Sequence, residues 1–195
     1  MSDEPAVILG DRFAAGVAEA VRLHAHQARK GNGVPYISHL LAVAGLVLEN
    51  GGDEDQAIAA LLHDGPEDQG GAATLALIRE RFGDRVADIV EACSDTFEMP
   101  KPPWLDRKHS YIAHLDQVDD DVRLVALADK VHNARTIVAD LHAHGAVTLD
   151  RFNGGREGTL WYYETLGERL TELAPGTLAR ELVELAAEMR ALAER

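Results

Sequence analysis

Histidines and acids in the first two thirds of this chain suggest one site for a divalent metal ion. His39 ends a Pro-Tyr-Ile-Ser-His segment, His63 and Asp64 are adjacent, and Asp129 lies in an Ala-Asp-Lys-Val-His-Asn segment. Two imidazoles and two carboxylates suit an ion such as Mn²⁺, Fe²⁺ or Zn²⁺ that keeps open positions for water and substrate. Such an arrangement is typical of a hydrolase.

The run before the His63–Asp64 pair predicts the element that positions it. Residues 57–62 are all apolar and indicate a buried helix, which Asp53 caps with Gln56 three residues on. A carboxylate at the end of such a helix needs a partner, because burying an unpaired one costs several kcal/mol. A metal, an arginine or a lysine could be that partner, so the pair alone leaves both a metal site and a structural role open.

Four blocks of sequence resemble, in order, the HD-domain hydrolases of the Rel/Spo (RelA/SpoT homologue) family. The blocks are residues 23–30, 33–39, 60–68 and 128–136. Enzymes of this family remove the 3′-pyrophosphate from alarmones such as ppGpp. The resemblance therefore implies an all-α HD-domain helical bundle with that activity, on guanosine or adenosine alarmones. We expect a stand-alone small hydrolase, since 195 residues leave no room for the family's synthetase and regulatory domains.

The resemblance also implies roles for individual residues. It makes His39, His63, Asp64 and Asp129 the ligands of one divalent ion, for which Mn²⁺ is our prediction. It makes the Glu67–Asp68 pair the acids that handle the attacking water. The substrate contacts that we predict are His24, Arg29, Lys30, Lys108, Asn133 and Thr136.

Helical spacing supports part of this set. Asp129, His132, Asn133 and Thr136 differ by three, four and seven positions, so they share one stripe of a helix that could line a cleft wall.

Two His-x-His pairs, at 24–26 and 142–144, do not make rival metal sites. Residues two apart on a helix point in different directions, so neither pair converges easily on one ion. We expect His26, His142 and His144 to be structural or exposed, and His24 to lie near the pocket because it matches the family's histidine.

Departures from the family pattern leave the base preference open. His26 stands where the family commonly has glycine, Leu40 where it has proline, and residues 65–66 and Gln69 replace Val-Val and Thr. Guanine and adenine alarmones both remain possible. A different nucleotide phosphohydrolase, such as an NADPH 2′-phosphatase, and a nucleotide-binding HD module without turnover are the alternatives.

The net charge of −14 disfavours nucleic acid and anionic membranes as partners, since both reward a basic surface. A small phosphorylated substrate instead requires the metal and local cations to reverse the field inside the cleft. The candidate cations are Arg29, Lys30, Arg107, Lys108 and Arg135. For Arg107 and Lys108, solvated helix faces explain the pattern equally well.

Length and composition predict one domain over residues 1–195, with the motifs at about 10–140 and further helices at about 157–195. A hydrophobic content of 46% is typical of a globular protein, and the acidic start and lack of long apolar runs favour the cytoplasm. We expect a monomer or homodimer, with Cys93 as a small core residue.

Helical periodicity dominates the chain, and no strand pattern is convincing. Gly65 and Pro66 are predicted to end a helix and turn Glu67 and Asp68 toward the metal. Residues 94–103 predict a connecting loop, with a lid as the alternative. The predicted helices lie at about 11–29, 35–50, 54–64, 74–81, 84–94, 104–118, 120–142, 157–172 and 177–193.

Overall fold

The structure, a computed structural model, describes residues 8–30, 33–94, 96 and 100–195. Helices provide the regular structure of these residues, and the only β-type pairing among them is an isolated bridge between Ala28 and Pro35. The all-α class is therefore confirmed. Within the same residues, no helix is both long and apolar enough to cross a bilayer. The helices form two compact units that divide after Ser94.

The first unit is built around a short helix that is buried from its third residue onward. This helix packs against three other helices of the unit, and every residue from Gln56 to Leu62 is buried. The predicted capping box begins it: Asp53 Oδ1 accepts from the Gln56 amide at 3.0 Å, and Gln56 Oε1 accepts from the Asp53 amide at 2.9 Å. The helices of this unit are α1 (Asp11–Leu23), α2 (Ile37–Glu49), α3 (Glu54–Leu62), α4 (Gly65–Asp68), α5 (Ala72–Phe82) and α6 (Asp84–Cys93).

The first helix is shorter than predicted. It ends at Leu23 instead of Arg29, because the carbonyl of Gln27 and the amide of Arg29 pair across the following loop instead of extending the helix. The Arg29 amide donates to Val34 O at 2.8 Å, and the Tyr36 amide donates to Gln27 O at 2.9 Å. Gly31 and Asn32, which follow the predicted end of the helix, lie outside the described residues.

The second unit consists of longer helices. The 25-residue helix Asp120–His144 and the helix Gly155–Leu173 both pack against the last helix of the unit. Tyr162 and Tyr163 are buried, and the ring of Trp161 meets that of Trp104 edge to face with centroids 6.4 Å apart, so these aromatics contribute to packing. A 3₁₀ helix at Ala146–Arg151 was not predicted. The α-helices are α7 (Trp104–His114), α8 (Asp120–His144), α9 (Gly155–Leu173) and α10 (Thr177–Ala193).

Two further predictions concern Cys93 and the loop that follows it. Cys93, the last residue of α6, is only partly buried instead of lying in the core. The predicted loop at 94–103 contains no helix in its described residues, and Asp95 and residues 97–99 lie outside them. The alternative that this loop is a lid stays untested.

Candidate metal centre

Two buried histidines come together where α2 begins and α3 ends. His39, the third residue of α2, is 1% exposed, and His63, directly after α3, is 3% exposed. Their rings meet edge to face with centroids 5.5 Å apart, and one potential ligand nitrogen of each lies within 4.8 Å of the other. The apolar packing of α3 therefore fixes one histidine against the other.

Asp64 joins the two histidines through one carboxylate oxygen. Its Oδ2 lies 3.1 Å from Nε2 of His63 and 3.5 Å from Nε2 of His39. The hydroxyl of Tyr36 donates to the same oxygen at 2.7 Å. Two imidazole nitrogens and a phenol thus converge on one carboxylate.

The second nitrogen of His63 determines what the first can do. Nδ1 lies 2.8 Å from the carbonyl oxygen of Ala60, which can only accept, so Nδ1 carries the proton. In the neutral ring Nε2 then presents a lone pair toward the Asp64 carboxylate. A divalent cation would stabilise this arrangement of two electron-rich atoms, and the mixed nitrogen and oxygen donors would suit Mn²⁺, Fe²⁺ or Zn²⁺. The first unit therefore fits a metal.

Glu67 and Asp68 follow Asp64 in sequence and lie on α4, but Gly65 and Pro66 do not have the role that was predicted for them. Gly65 and Pro66 begin this short helix instead of ending one. Proline suits the first turn because its fixed φ is helical and no amide is needed there. The preceding helix has already ended at Leu62, so the break precedes the glycine and proline.

The Asp68 carboxylate has a distinct environment. The side chain reaches solvent, but surrounding protein atoms remove part of its hydration and so raise its pKa. A hydrogen bond from Gln27 opposes this, and the like charges of Asp64 and Glu67 raise the pKa further. The net result is a carboxyl pKa above its usual value, which favours proton exchange closer to neutral pH.

Two of the residues predicted to contact substrate, His24 and Arg29, lie against the ring of Tyr36. His24, which is 3% exposed, stacks on it at 5.1 Å with a 19° tilt, and the Arg29 guanidinium lies 5.9 Å from its centroid. Arg29 belongs to the loop after α1 and does not end the helix as predicted. Lys30 is exposed.

In the second unit, Asp129 is buried and held by its own helix. Its Oδ2 accepts from Nζ of Lys130 and its Oδ1 from Nδ2 of Asn133, each at 2.6 Å. Burial disfavours the Lys130 ammonium, but the adjacent carboxylate outweighs it and raises the lysine pKa well above its usual value. Thr136, three residues after Asn133, donates to the carbonyl of His132 at 3.0 Å. The predicted stripe therefore exists on α8.

The other basic candidates of the second unit mostly have structural contacts. Arg135 pairs with Glu181 at 2.5 Å, and Nε of Arg107 donates to the carbonyl of Pro102 at 3.1 Å. Lys108 lies over the ring of Tyr162, 5.0 Å from its centroid. The substrate roles of Arg107, Lys108 and Arg135 stay predictions.

The three histidines set aside as structural or exposed behave as expected. His26, His142 and His144 are all exposed, and His142 pairs with Glu188 at 2.8 Å.

The sequence did not identify three residues that shape these sites. Tyr36 lies three positions before His39, a helical spacing that could have indicated contact with the same ligands. Gln27, three positions after His24, offers the same signal. Lys130 is adjacent to Asp129, where sequence spacing alone gives no indication of pairing.

Comparisons with known proteins agree with this chemistry. The HD domain family model matches residues 16–152, which cross the division between the two units. The HD domain therefore includes residues of both units.

Individual relatives define the group more narrowly. Guanosine-3′,5′-bis(diphosphate) 3′-pyrophosphohydrolase MESH1 of Xenopus tropicalis is 38% identical over 141 residues, covering 70% of this chain and 73% of that protein. The bifunctional (p)ppGpp synthase/hydrolase SpoT of Escherichia coli is 32% identical over 160 residues, which are 78% of this chain and 21% of SpoT. The chain belongs to the Rel/Spo group of HD-domain hydrolases, as its sequence predicts.

A solved structure shows the same fold. It is described as a metazoan orthologue of SpoT that hydrolyses ppGpp. The two structures superpose over 96% of this chain and 99% of the other chain, with a TM-score of 0.77. Its sequence identity is 24%, so it shows the fold alone.

Proposed function

We propose that this chain removes the 3′-pyrophosphate from (p)ppGpp and leaves GDP or GTP with a free 3′ hydroxyl. The observation that carries the proposal is the meeting of His39, His63 and Asp64, followed on α4 by Glu67 and Asp68. A binding module would not need this acid pair beside a set of metal ligands. The family, and a relative named for the same reaction, support the choice of substrate.

The metal in this proposal is one divalent ion, and we propose Mn²⁺. His39 and His63 would bind it through Nε2, Asp64 through a carboxylate oxygen, and Asp129 would be the fourth ligand. Asp129 is proposed because its segment matches the family motif and because it presents a buried carboxylate. When bound, such an ion supplies Lewis-acid stabilisation of phosphoryl oxygens and a more acidic water.

The acid pair on α4 would move the proton. In the proposed reaction a water oxygen bonds to the phosphorus next to the ribose, and the bond from that phosphorus to the 3′ oxygen breaks. A carboxylate oxygen of Glu67 or Asp68 accepts the proton of the water, and the 3′ oxygen leaves and takes up a proton. The raised pKa of Asp68 suits proton transfer better than that of an ordinary surface carboxyl.

The substrate contacts that we propose fall in both units. In the first, Arg29 would stack on the purine beside Tyr36, with His24 and Lys30 nearby. In the second, Lys108, Asn133 and Thr136 would contact the substrate. Stacking does not distinguish purines, so ppApp is a second proposed substrate.

The physiological setting follows from the substrate. A hydrolase of nucleotide alarmones would act in the cytoplasm on alarmone made by another enzyme. Its partner is a small nucleotide and not a nucleic acid, in keeping with the net charge of −14.

Chromatography of nucleotides and pyrophosphate tests the proposal. Purified protein with Mn²⁺ would be given ppGpp, ppApp and NADPH in separate reactions. We expect equal amounts of pyrophosphate and nucleoside diphosphate from ppGpp. Orthophosphate from NADPH alone would favour the 2′-phosphatase alternative, and binding of ppGpp without products would favour the binding module. Asp84→Asn, at a carboxylate 83% exposed on α6, is a matched control that should keep full activity.

A further inference from the structure

We propose that Gln27 is a positioning residue that holds the Asp68 carboxylate in its reactive orientation. The inference rests on the proposed function, because it assigns Asp68 a part in proton transfer. Gln27 lies in the turn after α1, whereas Asp68 ends α4, so the contact joins segments that are 41 residues apart.

A chain of hydrogen bonds defines the position of the amide. Nε2 of Gln27 donates to Oδ2 of Asp68 at 2.7 Å. On the other side, Oε1 of Gln27 lies 2.8 Å from Nδ1 of His24 and 2.5 Å from Nε2 of Gln69. Every polar atom of the Gln27 side chain therefore has a partner.

The chemistry of these partners permits only one orientation of the amide. A carboxylate only accepts, so the nitrogen of Gln27 must face Asp68. The oxygen then faces His24 and Gln69, and both must donate to it. A rotated amide would place its oxygen against the carboxylate and lose the hydrogen bond to Asp68. The amide is thus held in one orientation from two sides.

The backbone of Gln27 is also fixed. Its amide donates to His24 O at 3.0 Å, and its carbonyl accepts from the Tyr36 amide at 2.9 Å. Tyr36 in turn donates its hydroxyl to Asp64. One residue therefore connects the proposed proton acceptor, through its side chain, with the proposed metal ligand Asp64, through its backbone.

The consequence concerns the two oxygens of Asp68. Oδ2 is occupied by Gln27, while Oδ1 has no hydrogen-bond partner among the residues that the structure describes. An exposed aspartate at the end of a four-residue helix would otherwise sample several rotamers. Gln27 selects one of them and leaves Oδ1 to accept the proton of water.

The test uses two variants that remove different hydrogen bonds of the Gln27 side chain. Gln27→Leu removes all the hydrogen bonds of the side chain, and Gln27→Glu keeps its size and its acceptor but replaces the donor toward Asp68 by an oxygen. We expect kcat to fall about tenfold or more in both, with KM and bound metal unchanged. Gln27→Glu should fold even if the less polar variant does not. Gln117→Leu, at an exposed glutamine of the second unit, is the matched control.

A double variant separates positioning from a structural role. If Gln27 acts through Asp68, then adding Gln27→Leu to Asp68→Asn should lower kcat by less than twofold further. A full additional tenfold loss, an unchanged kcat in Gln27→Glu, or loss of metal from either single variant would overturn the inference. Absence of ppGpp turnover in the wild-type protein would instead overturn the proposed function.

Discussion

Two regions of the first unit shield a carboxylate from water, one almost completely and one in part. On α1, Glu19 is 4% exposed and pairs with the guanidinium groups of Arg22 and Arg81. Between α3 and α4, Asp64 accepts from the Tyr36 hydroxyl and faces two imidazoles. Both acids need compensation for lost hydration, but the groups that provide it differ in kind.

The difference separates a structural ion pair from a binding site. Hydrogen bonds from Arg22 lower the pKa of Glu19. Because guanidinium groups stay positively charged, they neutralise this carboxylate themselves and repel a metal cation. Asp64 instead faces imidazole nitrogens that can themselves bind a metal. Asp129 in the second unit combines both features, since Lys130 pairs with it and we propose it as a ligand. An acid shielded from water thus indicates metal binding only when its neighbours could be ligands too.

The largest expected effect comes from removing the central carboxylate. Asp64→Ala should lose bound metal and lower turnover by about 10³-fold or more, because a ligand and its charge disappear together. Glu19→Gln, a change at the buried acid of the ion pair, should keep full metal content and turnover. Elemental analysis beside steady-state kinetics measures both. Full metal occupancy in Asp64→Ala would break the comparison.

A second effect separates metal binding from proton transfer. Glu67→Gln and Asp68→Asn preserve side-chain size but cannot accept a proton, so turnover should fall about 10²-fold while the metal remains bound. Rates of pyrophosphate release and metal content, measured on the same preparations, test this. If both variants reach the wild-type rate, the acid pair is structural.

A smaller effect concerns the phenol that orients Asp64. Tyr36→Phe removes the 2.7 Å hydrogen bond but keeps the ring that stacks on His24. Metal affinity should weaken about tenfold, as for other groups that orient ligands. Titration of the metal-free protein with Mn²⁺, followed by calorimetry, gives the Kd. An identical Kd would show that the histidines alone fix the carboxylate.

The smallest expected effect is on the stability of the fold, and it comes from Glu19 instead of Asp64. Because its folded-state pKa is lowered, ionised Glu19 stabilises the fold above its ordinary carboxyl pKa of about 4.3, and this contribution is lost as the pH falls through the folded value. Glu19→Gln should therefore cost about 1–2 kcal/mol at pH 7 and less in acid. Urea denaturation of the wild-type protein and the variant, at pH 7 and at an acidic pH, measures the difference in the free energy of unfolding. A cost that grows on acidification would contradict the assigned sign.

The sequence predicted the helical class and the motif residues because their spacing carries local information. Apolar periodicity and the Asp53–Gln56 capping box located α3 and, with it, His63. Contacts between distant segments were missed, such as Gln27 with Asp68 and Glu19 with Arg81, since neither partner indicates the other in sequence. The early end of α1 was missed for the same reason: its amides pair across a loop, which helix periodicity does not reveal.

The metal requirement of turnover tests the central claim most directly. Protein stripped with a chelator would be titrated with Mn²⁺ while bound metal and pyrophosphate release from ppGpp are measured in the same samples. We expect no release from the stripped protein and recovery that reaches its maximum at one bound ion per chain. Full release from protein that holds no metal would contradict the assignment of His39, His63 and Asp64 as a catalytic metal centre.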